Sequence, residues 1–187
     1  RLDRETKEQY NFQVVANDAF TNRSAVTGFR VIVTDVNDNA PFLTVSSNRV
    51  SLNENTSPLF VASFSASDAD LRKEVDFKLV DASNLFSMTI NSTDSNKGSI
   101  NLIRNLDFET KAVHYLVLEA TDRATYALTS STTVTVSVLN VDDFAPIFAD
   151  RVYHASVSEE AVDADVVLVK AVDFYELQAP QISYQLV

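Results

Sequence analysis

Apolar and polar residues alternate with a period of two along much of this chain. In Thr132-Thr133-Val134-Thr135-Val136-Ser137-Val138 three valines fall on one face and small polar residues on the other, the pattern of a half-buried antiparallel strand. Runs rich in Val, Ile, Thr and aromatics recur at Tyr10 to Ala16, Phe29 to Thr34, Leu59 to Ala66, Val113 to Ala120 and Thr132 to Leu139. Such runs favour strands, and no helical period competes with them. The expectation is an all-β chain built as a β-sandwich.

The chain also repeats itself. Val50-Ser51-Leu52-Asn53-Glu54-Asn55 resembles Ala155-Ser156-Val157-Ser158-Glu159-Glu160, with the two glutamates 105 residues apart; Asp68 and Asp173 have the same separation. Leu2-Asp3-Arg4-Glu5 returns as Leu106-Asp107-Phe108-Glu109, and Ala16-Asn17-Asp18 as Ala120-Thr121-Asp122, both shifted by 104. Asp35-Val36-Asn37-Asp38-Asn39-Ala40-Pro41 returns as Asn140-Val141-Asp142-Asp143-Phe144-Ala145-Pro146. A repeat of about 105 residues has the size of an immunoglobulin-like sandwich. Pro41 and Pro146 cannot donate to a sheet ladder and hold the preceding residue extended, so the repeats divide there. The expected domains are the second half of a repeat at 1–41, a complete repeat at 42–146 and the first half of another at 147–187. Neither half is expected to bury a core alone, so the termini read as cuts in a longer chain.

Composition narrows the chemistry. The 187 residues are 45% hydrophobic, enough for a core. Lys and Arg number 15 against 26 Asp and Glu, a net charge of −11, which repels nucleic acid and favours cations as partners. Cysteine is absent, so neither disulfides nor thiolate metal sites are available. No apolar run reaches the roughly 18 to 20 residues that span a bilayer, so any signal peptide or membrane anchor is expected outside the fragment. With only Gly28 and Gly98, no glycine-rich phosphate loop can form. His114 and His154 lie in strand-like runs with no nucleophile nearby, and their side chains are expected to face solvent or pack at a sheet edge.

The acids are concentrated at the ends of strand-like runs. Asp35, Asn37, Asp38 and Asn39 crowd one connector, where each close pair of like charges costs about 1 kcal/mol even in water. A divalent cation cancels that repulsion. All the candidate donors are oxygens, which suits calcium better than zinc or copper, although the EF-hand loop pattern is absent.

Taken in order and repeated, the motifs LDRE, DVNDNAP, Asn53-Glu54-Asn55, Asp68-Ala69-Asp70 and the A-x-D ending in Asp122 are similar to those of the cadherin repeat. The resemblance covers essentially the whole chain. It implies tandem Greek-key, immunoglobulin-like β-sandwiches joined by calcium-binding linkers. At the first junction it implies the ligands Asp3 and Glu5 from the preceding repeat and the side chains of Asp35, Asn37 and Asp38 with the carbonyls of Val36 and Asn39 from the connector. Asp68, Asp70 and Asp122 come from the following repeat. At the second junction it implies Glu54, Asp107, Glu109, Asp142, Asp143 and Asp173. There neutral Asn140 replaces the first connector acid, and Tyr175 replaces the second Asp of D-x-D. A phenol is a poor substitute for a bridging carboxylate, so this junction is expected to hold fewer calcium ions and to bend more easily. The chain has no Trp, whereas cadherins that adhere by swapping an N-terminal strand use one near the mature terminus, so the segment reads as internal.

The implied function is calcium-dependent cell–cell adhesion, with interdomain calcium stiffening a rod on the extracellular side of the plasma membrane, in the ectodomain of a single-pass protein. The implied partner is another cadherin, homophilic or heterophilic, through this or other repeats. A rival reading gives this segment its own recognition surface, around Leu59 and Phe60 or Phe174, although such residues in strands ordinarily face the core; a force-bearing or receptor role is a further alternative. A calcium-dependent hydrolase would need a nucleophile or acid/base pair outside the ligand set, and none is present. Asn22, Asn55 and Asn91 head N-glycosylation triplets, Asn55 beside the expected ligand Glu54.

Overall fold

The computed structural model describes residues 1–173 and 182–187. Twelve strands and no helix occur among the described residues. The first two, β1 (Gln9–Asn17) and β2 (Ser24–Ile32), form an antiparallel hairpin. Their apolar residues Phe12, Val14, Val15, Val26 and Phe29 are exposed, so this hairpin encloses no core of its own.

Eight strands follow and build a complete sandwich: β3 (Phe42–Val45), β4 (Arg49–Asn53), β5 (Leu59–Ser67), β6 (Val75–Val80), β7 (Phe86–Ile90), β8 (Lys97–Leu102), β9 (Val113–Asp122) and β10 (Thr129–Leu139). One sheet has the order β3-β5-β8-β7 and the other β4-β10-β9-β6. The period-two pattern explains the layering. Val134, Val136 and Val138 of β10, Leu116 and Leu118 of β9, and Ile100 and Leu102 of β8 all turn inward and are buried, as alternation on a pleated strand requires. Gly98 is needed between β5 and β7 in the first of these sheets, since a Cβ there would meet the Phe64 ring and the Thr89 carbonyl oxygen. Beyond the sandwich, β11 (Ile147–Phe148) and β12 (Ala171–Val172) form one short antiparallel pair.

The topology sets up two poles. β3 opens antiparallel to the end of β5, with Phe42 opposite Ser67, and β6 opens opposite the end of β9, with Val75 opposite Asp122. Asp68, Asp70 and Asp122 therefore gather where the connector 33–41 enters. β4 instead crosses to the other sheet and runs parallel to β10, with Asn53 opposite Leu139. That delivers Glu54 to the opposite pole, where the chain leaves.

Two expectations about side chains change here. His114 is interior, 3% exposed, and edge-on to Phe86, because β9 is a central strand and position 114 shares the inward phase of Leu116 and Leu118. His154 lies outside any strand and is exposed. Leu59 and Phe60 are exposed rather than core; the register with β8 shifts between Phe60 and Ala62, which turns the pair outward. Phe174 and Tyr175 lie outside the described residues.

Candidate metal centre

At the entry pole, carboxylates from three separate parts of the chain converge. One oxygen each of Glu5, Asp38 and Asp70 lies within 4.8 Å of the others. Two ligands facing each other across a calcium ion at about 2.4 Å stand about 4.8 Å apart, so this spacing admits the ion. Asp3, Glu5, Asp38 and Asn39 line the same cavity. Asp70, 1% exposed, accepts hydrogen bonds from the backbone N–H and side-chain amide of Asn39 at 3.1 and 2.8 Å. Asp3 is turned back on its own loop and accepts from the backbone N–H and hydroxyl of Thr6, which together hold its carboxyl below the usual range.

Beside this group sits a second set, Asp35, Asp68 and Asp122. The Asn37 amide donates to Asp122 at 3.0 Å and to the Tyr126 carbonyl at 2.9 Å. The connector is thereby pinned to the end of β9. Burial raises the Asp122 pKa, but donors from Ala124, Asn37 and Leu128 outweigh it and the net shift is downward. Asp68 shifts the other way: burial, and then the charges of Asp70, Asp122 and Asp35, push its carboxyl up. Its Oδ1 accepts the Asp70 N–H, while its Oδ2 is buried with no hydrogen-bond donor. A buried carboxylate oxygen with no donor is costly for a folded protein unless a cation faces it, and so the residues present fit a hard divalent cation. The Val36 side chain is exposed.

The exit pole carries a smaller group. Oxygens of Glu54, Glu109 and Asp143 lie within 4.8 Å of one another. Glu54 is 2% exposed and accepts the backbone N–H groups of Phe108 at 2.8 Å and Val141 at 2.7 Å. Burial, and then the charges of Glu54, Asp143 and Asp107, raise the Glu109 pKa, and its Oε1 is buried without a donor. Asp107 repeats the Asp3 arrangement, accepting from the backbone and hydroxyl of Thr110. Asp142 and Asp173 are not members of this three-carboxylate group, and neutral Asn140 is half-buried at the start of the connector.

Some contributors were not legible in the motifs. Arg4 bridges Glu5, Asp35 and the Ala69 carbonyl, the Leu71 N–H donates to Asp35, and the Asn55 amide donates to Asp143 at 2.6 Å. The signal for Arg4 was its place between Asp3 and Glu5, where the repeat carries Phe108. The Asn55 contact occupies the nitrogen to which a glycan would attach. Asn22 and Asn91 are exposed, and the Asn91 side-chain oxygen accepts from Thr93.

Comparison with known proteins finds similar sequences and folds. The sequence model of the cadherin domain matches residues 48–139. Human Protocadherin-15 is 30% identical over 194 aligned residues, covering 98% of this chain and 10% of that protein; Drosophila melanogaster Protein dachsous is 30% identical over 190, covering 100% and 5%. The chain thus spans about a tenth or less of the length of these relatives. Among solved structures, Protocadherin Gamma B2 extracellular cadherin domains 3-6 superimpose with a TM-score of 0.81 at 26% identity, over 92% of this chain and 41% of that one. Mouse Cadherin-23 EC22-24 gives 0.71 at 27% identity, over 91% and 55%.

Proposed function

This chain belongs to the cadherin superfamily, a group of adhesion proteins rather than enzymes, and we propose that it is an internal ectodomain segment whose repeats are tied together by calcium at their junctions. We divide it as residues 1–41, 42–146 and 147–187, with the two junctions at the connectors ending in Pro41 and Pro146. The reading is carried by one observation. Acids far apart in sequence converge at each pole of the sandwich, and each pole holds a buried carboxylate oxygen, of Asp68 or Glu109, with no donor.

At the entry pole the proposed ligands are Asp3, Glu5, Asp35, Asn37, Asp38, Asp68, Asp70 and Asp122, with the Val36 and Asn39 carbonyls. The set draws on both repeats, so an ion held there couples one to the next. At the exit pole they are Glu54, Asp107, Glu109 and Asp143, all upstream of Pro146. With neutral Asn140 in the place of Asp35 and Tyr175 in the place of the second Asp of D-x-D, the second junction is the weaker and holds fewer ions, Asp142 and Asp173 being its further candidate ligands. Calcium supplies the positive charge that cancels carboxylate repulsion. The chain's own residues fix the oxygens: Asn39 orients Asp70, Asn37 orients Asp122, and two backbone N–H groups hold Glu54. Extracellular modules of this kind bind calcium at about 10⁻⁴ to 10⁻³ M, matched to calcium outside the cell. The partner is another cadherin ectodomain.

The test is a thermal melt of the chain in EGTA and in rising calcium, for wild type, a Glu5→Gln/Asp38→Asn/Asp70→Asn triple variant and a Glu54→Gln/Glu109→Gln/Asp143→Asn triple variant. Calcium should raise the wild-type midpoint, and the entry-pole triple should lose more of that rise than the exit-pole triple. A midpoint indifferent to chelator defeats the proposal.

A further inference from the structure

Arg4 occupies an unusual position at the first junction. Its side chain is 13% exposed, and its guanidinium reaches three groups: Nε donates to Asp35 Oδ1, and Nη2 pairs with Glu5 and donates to the Ala69 carbonyl at 2.9 Å. Glu5 belongs to the repeat that contains Arg4, Asp35 to the connector and Ala69 to the following repeat. The second oxygen of Asp35 accepts the Leu71 N–H at 3.2 Å, so Asp35 is itself anchored on the following repeat. A planar guanidinium held by two carboxylates and a carbonyl is a fixed cation that cannot deprotonate.

We propose that Arg4 is a built-in clasp of the first junction, positioning Asp35 and keeping the two repeats docked when calcium is withdrawn. The corresponding residue of the second junction is Phe108, a partly buried side chain packed on the hydrophobic core, which can supply no such charge. The first junction therefore has two cationic ties, one resident and one exchangeable, while at the second the position equivalent to Arg4 supplies no charge. The inference concerns the calcium-free state and does not need the calcium reading to hold.

The chain's lack of cysteine allows site-specific spin labels. Labels are placed at Asn11→Cys on the hairpin and Thr133→Cys on the sandwich, both exposed positions. Distance distributions are then recorded for the intact chain with Arg4, Arg4→Ala and Arg4→Lys, in EGTA and in calcium. In EGTA the Arg4 chain should give one narrow peak, Arg4→Ala should lose it, and Arg4→Lys should keep it only in part, because a point charge cannot span all three acceptors. Melting of the sandwich is followed alongside, to show that Arg4→Ala still folds. Equal distributions for Arg4 and Arg4→Ala in EGTA overturn the clasp. The calcium arm tests the ions separately: restoration of the narrow peak in Arg4→Ala supports two independent ties, and the EGTA comparison decides the clasp whatever calcium does.

Discussion

Replacing Glu54 with alanine removes one side chain that acts twice. Its carboxylate accepts the backbone N–H groups of Phe108 and Val141, and the same carboxylate belongs to the exit-pole cluster. The two roles separate by chelation. In EGTA calcium ligation drops out, and losing two part-buried hydrogen bonds to a carboxylate costs about 1.5–3 kcal/mol each. Relief of repulsion with Glu109 and Asp143 works in the opposite direction, so the net loss is on the order of 2–4 kcal/mol. For a sandwich of this size that lowers the melting midpoint by roughly 10–20 °C. Glu54→Gln keeps one acceptor oxygen and should lose about half as much in EGTA. In calcium, both variants should also lose part of the calcium-dependent rise, because an amide is a weaker ligand than a carboxylate. Circular dichroism melts of the three proteins, with and without EGTA, read all of this. An alanine variant melting within about 3 °C of wild type in EGTA would show that Glu54 does not secure Phe108 and Val141.

Asp68→Asn should change sign with calcium. It removes a charge crowded by Asp70, Asp122 and Asp35 and so raises the EGTA midpoint, by about 1 kcal/mol of stability, while shrinking the rise that calcium gives; a fall in EGTA contradicts the crowding. His114 is neutral in the fold, because burial and then the Lys111 charge hold its pKa below the ordinary value, with Asp81 opposing. Its contribution is therefore complete above the unfolded pKa of about 6.5 and is lost as pH falls, by up to about 1.4 kcal/mol per pH unit until the folded pKa is passed. His114→Phe should flatten the midpoint between pH 7.5 and 5.5 in EGTA, and an unchanged slope would exclude His114 as the source. Gly98→Ala forces a Cβ against the Phe64 ring and the Thr89 carbonyl and should cost about 1–3 kcal/mol in urea titration; a neutral result would mean that β7 and β8 shift freely.

What was legible in the sequence follows from period and recurrence. Alternation in Thr132–Val138 gives the inward valines of β10 directly, because the side-chain period of a strand is two. Acid motifs recurring after about 105 residues give the two poles, because each repeat must present the same ends to its neighbours. Other features depend on contacts that no local pattern encodes. The interior place of His114 comes from β9 being central, a property of sheet order. The outward turn of Leu59 and Phe60 comes from a register shift against β8. The reach of Arg4 to Ala69 depends on how the connector folds over the sandwich. A motif names which residues stand at a junction, but the junction itself decides which of their atoms are already engaged.

The two junctions share a backbone frame and differ in few side chains. Asp3 and Asp107 each accept from the threonine three residues on, and their carbonyls accept from Lys7 and Lys111. The loop that presents Glu5 is therefore built like the one that presents Glu109. Set into that frame, Arg4 faces Phe108 in the alignment of repeats, and Asp35 faces Asn140. One junction holds a fixed cation among its carboxylates, while the other has Asn140 and Asp142 where the first has Asp35 and Asn37, and Phe108, packed against the core, in the place of Arg4. The charged groups among these changes stand outside the buried cluster of β3 to β10, whereas Phe108 packs against it. On the proposed reading the charges at each pole set how firmly neighbouring repeats are held, while the buried strands carry the hydrophobic part of the repeat's stability. Substitutions at Arg4 and at Leu116 should accordingly separate: the first alters the angle between repeats at constant repeat stability, and the second alters stability without changing the charge of either joint.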